Sequence, residues 1–157
     1  MDIQKTPGVD HPISMSAAPG RMHARYQGHV IADSDNVIIL TEAGYRPVCY
    51  FPREDVAMEF LARTDRDTHC PYKGHATYFT ITMDGVITEN TAWSYEAPYP
   101  AMAAIAARIA FFPHDVDVYQ VGGHDFDAST NTAILHTDSG TGASQAEHWP
   151  ATTRDPD

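Results

Sequence analysis

Apolar and polar positions alternate along several stretches of the chain, and a few punctuating residues divide them. "RYQGHVIAD" and "NVIILTE" are β-rich runs separated by Asp33-Ser34-Asp35-Asn36, whose short polar side chains favour a turn. "YRPVCYF" predicts a third extended run, with Pro47 marking an edge position or a bulge. "HATYFTITM" and "VITENTAWSY" flank Asp84-Gly85, a preferred two-residue hairpin turn because Gly accepts positive φ. In "FFPHDVDVYQV", Val116 and Val118 alternate with Asp115, Asp117 and Tyr119, as in a half-buried strand.

Two stretches carry a helical period instead. "PREDVAMEF" has Pro52 where a missing N–H costs nothing, and Glu54 and Asp55 where the helix dipole favours acids. Val56 and Phe60 are placed on one face of it. In "PYPAMAAIAARIAF", Met102, Ile105 and Ile109 form one apolar stripe. The expectation is a mainly β domain, formally α+β with two short helices.

The ends differ from this middle. Residues 1–22 are rich in Pro, Gly, Ser and Ala without periodicity, which predicts a flexible N-terminal arm. Residues 23–121 form the expected domain. Residues 122–157 predict an acidic tail, either disordered or packed through Phe126, Ile134, Leu135 and Trp149.

Charge narrows the partners. A chain of 157 residues can build one real core. With 21 acids against 10 bases its net charge is −11, which argues against nucleic acid or an anionic membrane as main partner. A small anionic ligand held by a few local bases stays compatible, and homo-oligomerisation is open. No apolar run reaches membrane-spanning length, and the N-terminus lacks the apolar segment of a secretory signal. Two cysteines, Cys49 and Cys70, lack zinc-knuckle or redox-pair spacing, so a cytoplasmic protein is expected.

"THCPYKG", Thr68 to Gly74, gathers a thiol, an imidazole and an amine. Pro71 suits the first corner of a turn that folds Lys73 back toward Cys70, and Gly74 lets the chain leave with positive φ. Lys73 and His69 would lower the Cys70 pKa and make a nucleophilic or redox thiolate. The competing reading is a buried, inert cysteine in a turn that launches the next strand. Lys73 could instead hold an anion. Tyr72, Tyr78, Trp93 and Tyr95 could wall a pocket, or simply be core. Arg53 and Arg46 are candidate anion ligands, and Asp55 is the candidate base or orienting carboxylate; helix-end electrostatics explains the same charges. A metal site from His69, Cys70 and His75 is disfavoured, because adjacent residues on an extended segment face opposite ways.

Four blocks, "YFPREDVAMEFL", "THCPYKGHATYFTI", "TAWSYEAPYP" and "IAFFPHDVDVY", resemble in order and spacing the family known as domain of unknown function 427, sometimes labelled nucleotidyltransferase-like. The resemblance spans roughly Arg25 to Tyr119 and implies a compact β-tent of the Mss-four-like type. It implies no reaction. Nucleotidyl transfer needs acidic pairs for two metal ions, and Asp115 and Asp117 could form one on a strand face. No phosphate-binding glycine loop accompanies that pair or Asp125 and Asp127, so this reading is disfavoured. Two function classes remain: a small-molecule binding or thiol-based catalytic site at the Cys-Pro-Tyr-Lys-Gly turn, which is preferred, and a non-catalytic protein-interaction module.

Overall fold

The structure, a computed structural model, describes residues 3–121. The expected acidic tail and the Asp125/Asp127 pair lie outside the described residues. Ten strands follow in order: β1 Ile13–Ala17, β2 Met22–Tyr26, β3 His29–Ser34, β4 Ile38–Glu42, β5 Val48–Tyr50, β6 Leu61–Cys70, β7 Gly74–Met83, β8 Val86–Ser94, β9 Ala110–Phe111 and β10 Asp117–Gln120. They form three antiparallel sheets, ordered β1-β4-β5, β10-β2-β3 and β6-β7-β8-β9. The mainly β architecture is therefore the one expected.

The four-stranded sheet is a wall with a core on each face. Along β7, Ala76 and Tyr78 enter one apolar cluster, whereas Phe79, Ile81 and Met83 enter the other. The same alternation sends Ala92 and Phe111 one way and Trp93 and Ala110 the other. The register with β8 shifts between Phe79 and Ile81, opposite Asn90 at φ 53°, yet the alternation of faces along β7 continues through it. A bridge from Phe51 to Ile109 continues the wall into β5, so Cys49 and Phe51 join the first cluster and Tyr50 the second. The first cluster is covered by β2, β3 and β10 through Met22, Ala24, Ile31 and Val118. The second is covered by Leu40 of β4, by Met102 and Ile105, and at its margin by Ile13 and Met15 of β1.

Hairpin chemistry follows the sequence. Asp84 and Gly85 take φ 54° and 80°, the left-handed pair that a two-residue turn matching strand twist requires. Gln27 and Gly28, at φ 51° and 80°, make a second such turn inside the run read as one strand, splitting it into β2 and β3. β5 is an edge strand and Pro47 immediately precedes it, as its missing N–H favours.

Both expected helices are corrected to 3-10 turns. The first becomes Arg53–Asp55 and Met58–Phe60, because Val56 between them is extended and bridges Ala32, while the Ala57 N–H donates to the Ile31 carbonyl. Sheet pairing outcompetes the helical period, and Val56 is buried while Phe60 stays exposed. The second becomes Pro100–Ile105, ended by extended Ala106 and by Ala107 at φ 63°. Its stripe of Met102, Ile105 and Ile109 is nonetheless fully buried.

Part of the segment expected as a flexible N-terminal arm is strand. Ile13–Ala17 is a strand paired along its whole length with β4, and Met22 begins β2. Ahead of β1, Gly8 and His11 exchange backbone hydrogen bonds, and the Lys5 N–H donates to the Pro71 carbonyl at 2.7 Å. This segment thus crosses the Cys70–Gly74 turn. No helix among the described residues is long and apolar enough to cross a membrane.

Candidate functional site

Cys70 ends β6 and Gly74 opens β7 directly opposite, so Pro71, Tyr72 and Lys73 form the connecting turn. The Lys73 N–H donates to the Cys70 carbonyl at 3.2 Å, and the Tyr99 N–H donates to the Lys73 carbonyl at 3.1 Å. Gly74 sits at φ 113°, and an added Cβ would meet the Pro98 Cα at 3.4 Å. The turn chemistry read from Pro71 and Gly74 therefore directs Lys73 inward.

Lys73 is 2% exposed, an unusual fate for lysine. Its Nζ donates to Glu42 Oε1, and the carboxylate's other oxygen meets His11 Nε2 at 2.7 Å. The His11 ring stacks on Tyr72 at 4.0 Å, nearly parallel to it, and closes the pair from outside. Inside lie the Tyr95 ring, 5.7 Å from Lys73 Nζ, and the second apolar cluster with Cys70, Tyr50, Tyr78 and Trp93. Tyr50 accepts from Trp93 Nε1 at 3.3 Å, and Tyr78 shares a 2.9 Å hydrogen bond with Thr68.

Burial and charge oppose each other throughout this centre. Burial disfavours the Lys73 ammonium, but Cys70 and Glu42 more than offset it, and its pKa lies above the usual lysine value. Burial likewise pushes Glu42 up, yet Lys73 and His11 hold it below the usual carboxylate value. For Cys70 burial wins: its thiol is raised although Lys73 pulls the other way. Burial also raises Tyr95, and pushes Tyr50 up to about 12.

The structure brings together six of the residues singled out from sequence: Cys70, Lys73, Tyr72, Tyr78, Trp93 and Tyr95. The others lie elsewhere. Arg53 donates from Nε to the Ala107 carbonyl and from Nη2 to Ser94 and to Glu96, which also binds Arg63. Asp55 closes its 3-10 turn, and its field falls on Arg21 and Arg108. None of the hydrogen bonds or ion pairs of Arg53 or Asp55 reaches the turn. Arg46, half-buried ahead of Pro47, has its guanidinium pKa lowered by burial. Asp115 and Asp117 do not share a strand: Asp115 precedes β10 and accepts from Thr91 at 2.7 Å. His69 and Cys70 face apart as expected, with His69 hydrogen-bonded to Tyr99. Among the described residues no three metal-ligating side chains converge.

Sequence reasoning missed Glu42 and His11. Glu42 had a signal, since it stands two positions after buried Leu40 on the same face of β4. His11 had none, because its position depends on the path of the N-terminal segment.

A mainly β domain with a lysine–glutamate pair sealed inside it is the class that these observations define. The chain belongs to the family described as domain of unknown function (DUF427), also labelled NTP_transf_9, whose model matches residues 14–122. Among curated proteins, none matches the chain.

Proposed function

We propose that this chain binds a small molecule bearing a carboxylate or phosphate at the Lys73 centre, with Cys70 beside the bound group. The observation that carries the reading is the burial of Lys73 among Glu42, Cys70, Tyr50 and Tyr95. A buried ion pair is a poor device for stability alone, and clustered, perturbed titratable groups favour a functional site. In the closed arrangement Glu42 occupies Lys73. An incoming anion takes that place while Glu42 keeps His11. Tyr72 and Trp93 supply the apolar walls.

Thiol chemistry at Cys70 is the second reading, favoured by the pull of Lys73 on the thiol. In the closed arrangement burial keeps that thiol protonated at neutral pH, so this reading requires the centre to open. Neither reading uses Arg53, Arg46 or Asp55.

The test is thermal unfolding of the Cys49→Ser chain against rising inorganic phosphate or acetate. The midpoint is expected to climb with probe concentration, and iodoacetamide to reach Cys70 more slowly in its presence. Protection of Cys70 should vanish, and the climb in midpoint should shrink, in Lys73→Met/Glu42→Gln, which removes the charges as a pair. Equal shifts in both proteins would sink the proposal.

A further inference from the structure

A second, open cleft of about 190 Å³ lies away from the Lys73 centre, lined by Asn36, Pro52, Arg53, Glu54, Ala107 and Arg108. It is smaller than the sites that take drug-sized ligands. Both of its arginines are locked by three hydrogen bonds. Arg53 uses Nε and Nη2, as described above. Arg108 donates from Nε to the Ala104 carbonyl at 3.1 Å, and from Nη1 to the carbonyls of Asn36 at 2.5 Å and Tyr50 at 3.4 Å. Each guanidinium therefore keeps one terminal nitrogen, Nη1 of Arg53 and Nη2 of Arg108, with no partner among the described residues.

Charge and backbone support a built site. Arg53 and Arg63 share the single carboxylate of Glu96, which leaves that trio with an excess positive charge. Arg108 has no carboxylate in ion-pair contact among the described residues; its partners are all carbonyls. Burial lowers its pKa against the fields of Glu54 and Asp55. Ala107 holds φ 63°, a costly conformation for a residue with a Cβ. It persists because its N–H donates to the Tyr95 carbonyl at 2.9 Å while its own carbonyl accepts from Arg53. A wall fixed at both ends, with one open terminal nitrogen on each of two pre-set guanidinium groups, suits a planar anion. The cleft also contains Glu54, which repels a dianion and attracts an ammonium group.

We propose that this cleft binds a small zwitterionic carboxylate of the amino-acid type. Its carboxylate lies between Arg53 and Arg108, and its ammonium group faces Glu54 and the Asn36 side chain. The site is independent of the Lys73 centre.

The test is a titration of the full-length chain, labelled with ¹⁵N, with glycine, acetate and inorganic phosphate, followed through the Ala107 N–H and Arg108 Nε–H signals. Glycine should shift both signals in a saturable way, more tightly than acetate, with phosphate weakest. Arg108→Gln should raise the glycine dissociation constant at least tenfold. Arg108→Lys, which keeps the charge and loses the planar guanidinium held by three carbonyls, should weaken binding while the rest of the spectrum stays native. Glu54→Gln should bring glycine and acetate to the same affinity. Lys73→Met/Glu42→Gln should leave glycine binding intact, which separates this site from the Lys73 centre. Unsaturable shifts, an unchanged constant in both Arg108 variants, or phosphate binding tighter than glycine would each overturn the proposal.

Discussion

Cys49 and Cys70 stand on opposite faces of the same wall, and their surroundings differ in kind. Cys49 belongs to the first cluster, where burial alone pushes its thiol up to about 12. Cys70 belongs to the second, where Lys73 works against burial. The first cluster is an apolar packing problem: Phe51, Ile81, Ile109 and Ala92 fill it, and each large side chain contributes about 1.5–3 kcal/mol by leaving water. The second is built from Tyr50, Tyr78, Tyr95 and Trp93 and adjoins a buried cation and its counter-charge. One sheet thus separates an apolar core from one that adjoins a buried ion pair, and identical residues on its two faces acquire different chemistry.

The contrast breaks most visibly at Lys73. Lys73→Met strands the Glu42 carboxylate and should lower stability by about 3–5 kcal/mol, with the paired Lys73→Met/Glu42→Gln variant recovering most of it in urea unfolding. Across the wall, Ile81→Ala should lose about 2–5 kcal/mol through its cavity, and that loss should be the same at pH 4 and pH 8.

The second cluster should instead answer to pH. Glu42 has its folded pKa depressed, so its contribution is complete above the usual carboxylate value of about 4.3 and fades as pH falls through the folded value. Lys73 has its folded pKa raised, so its contribution is complete below about 10.4 and fades as pH rises toward the folded value. Urea midpoints of the parent should therefore fall in acid more steeply than those of the charge-free pair variant. Parallel profiles would mean that the pair adds nothing to folding.

The smallest effect sharpens the comparison at the cysteines. His11→Ala removes the outer cover of Glu42 and should speed Cys70 alkylation about fivefold, the factor that goes with about 1 kcal/mol of lost closure. Cys49 should react at its former rate, because it lies in the first cluster whereas His11 and Tyr72 cover Glu42 on the second face.

What was legible in the sequence was local. Asp84-Gly85 announced its hairpin because two positive φ values need those residues, and Pro71 with Gly74 announced the turn that carries Lys73. β1 and β6 were illegible for a common reason. "ISMSA" and "LARTDRDTHC" are polar on their outer faces and acquire strand character by pairing, β1 with β4 and β6 with β7. The helical period of 52–60 was real, but Val56 found a better partner in Ala32. For the centre, a thiol and an amine three positions apart could be read directly. Glu42 and His11, both 31 positions from their partners, are products of the fold.

The sheet β10-β2-β3 closes with the last strand among the described residues. His23 and Tyr119, 96 positions apart, face each other across it, and Val121 still donates to the Arg21 carbonyl. During synthesis the β2–β3 hairpin must therefore wait, with one open edge, until almost all of the described chain has left the ribosome. Among the described residues β10 is the final strand of that cover to be made, and until then β2 carries an unpaired edge.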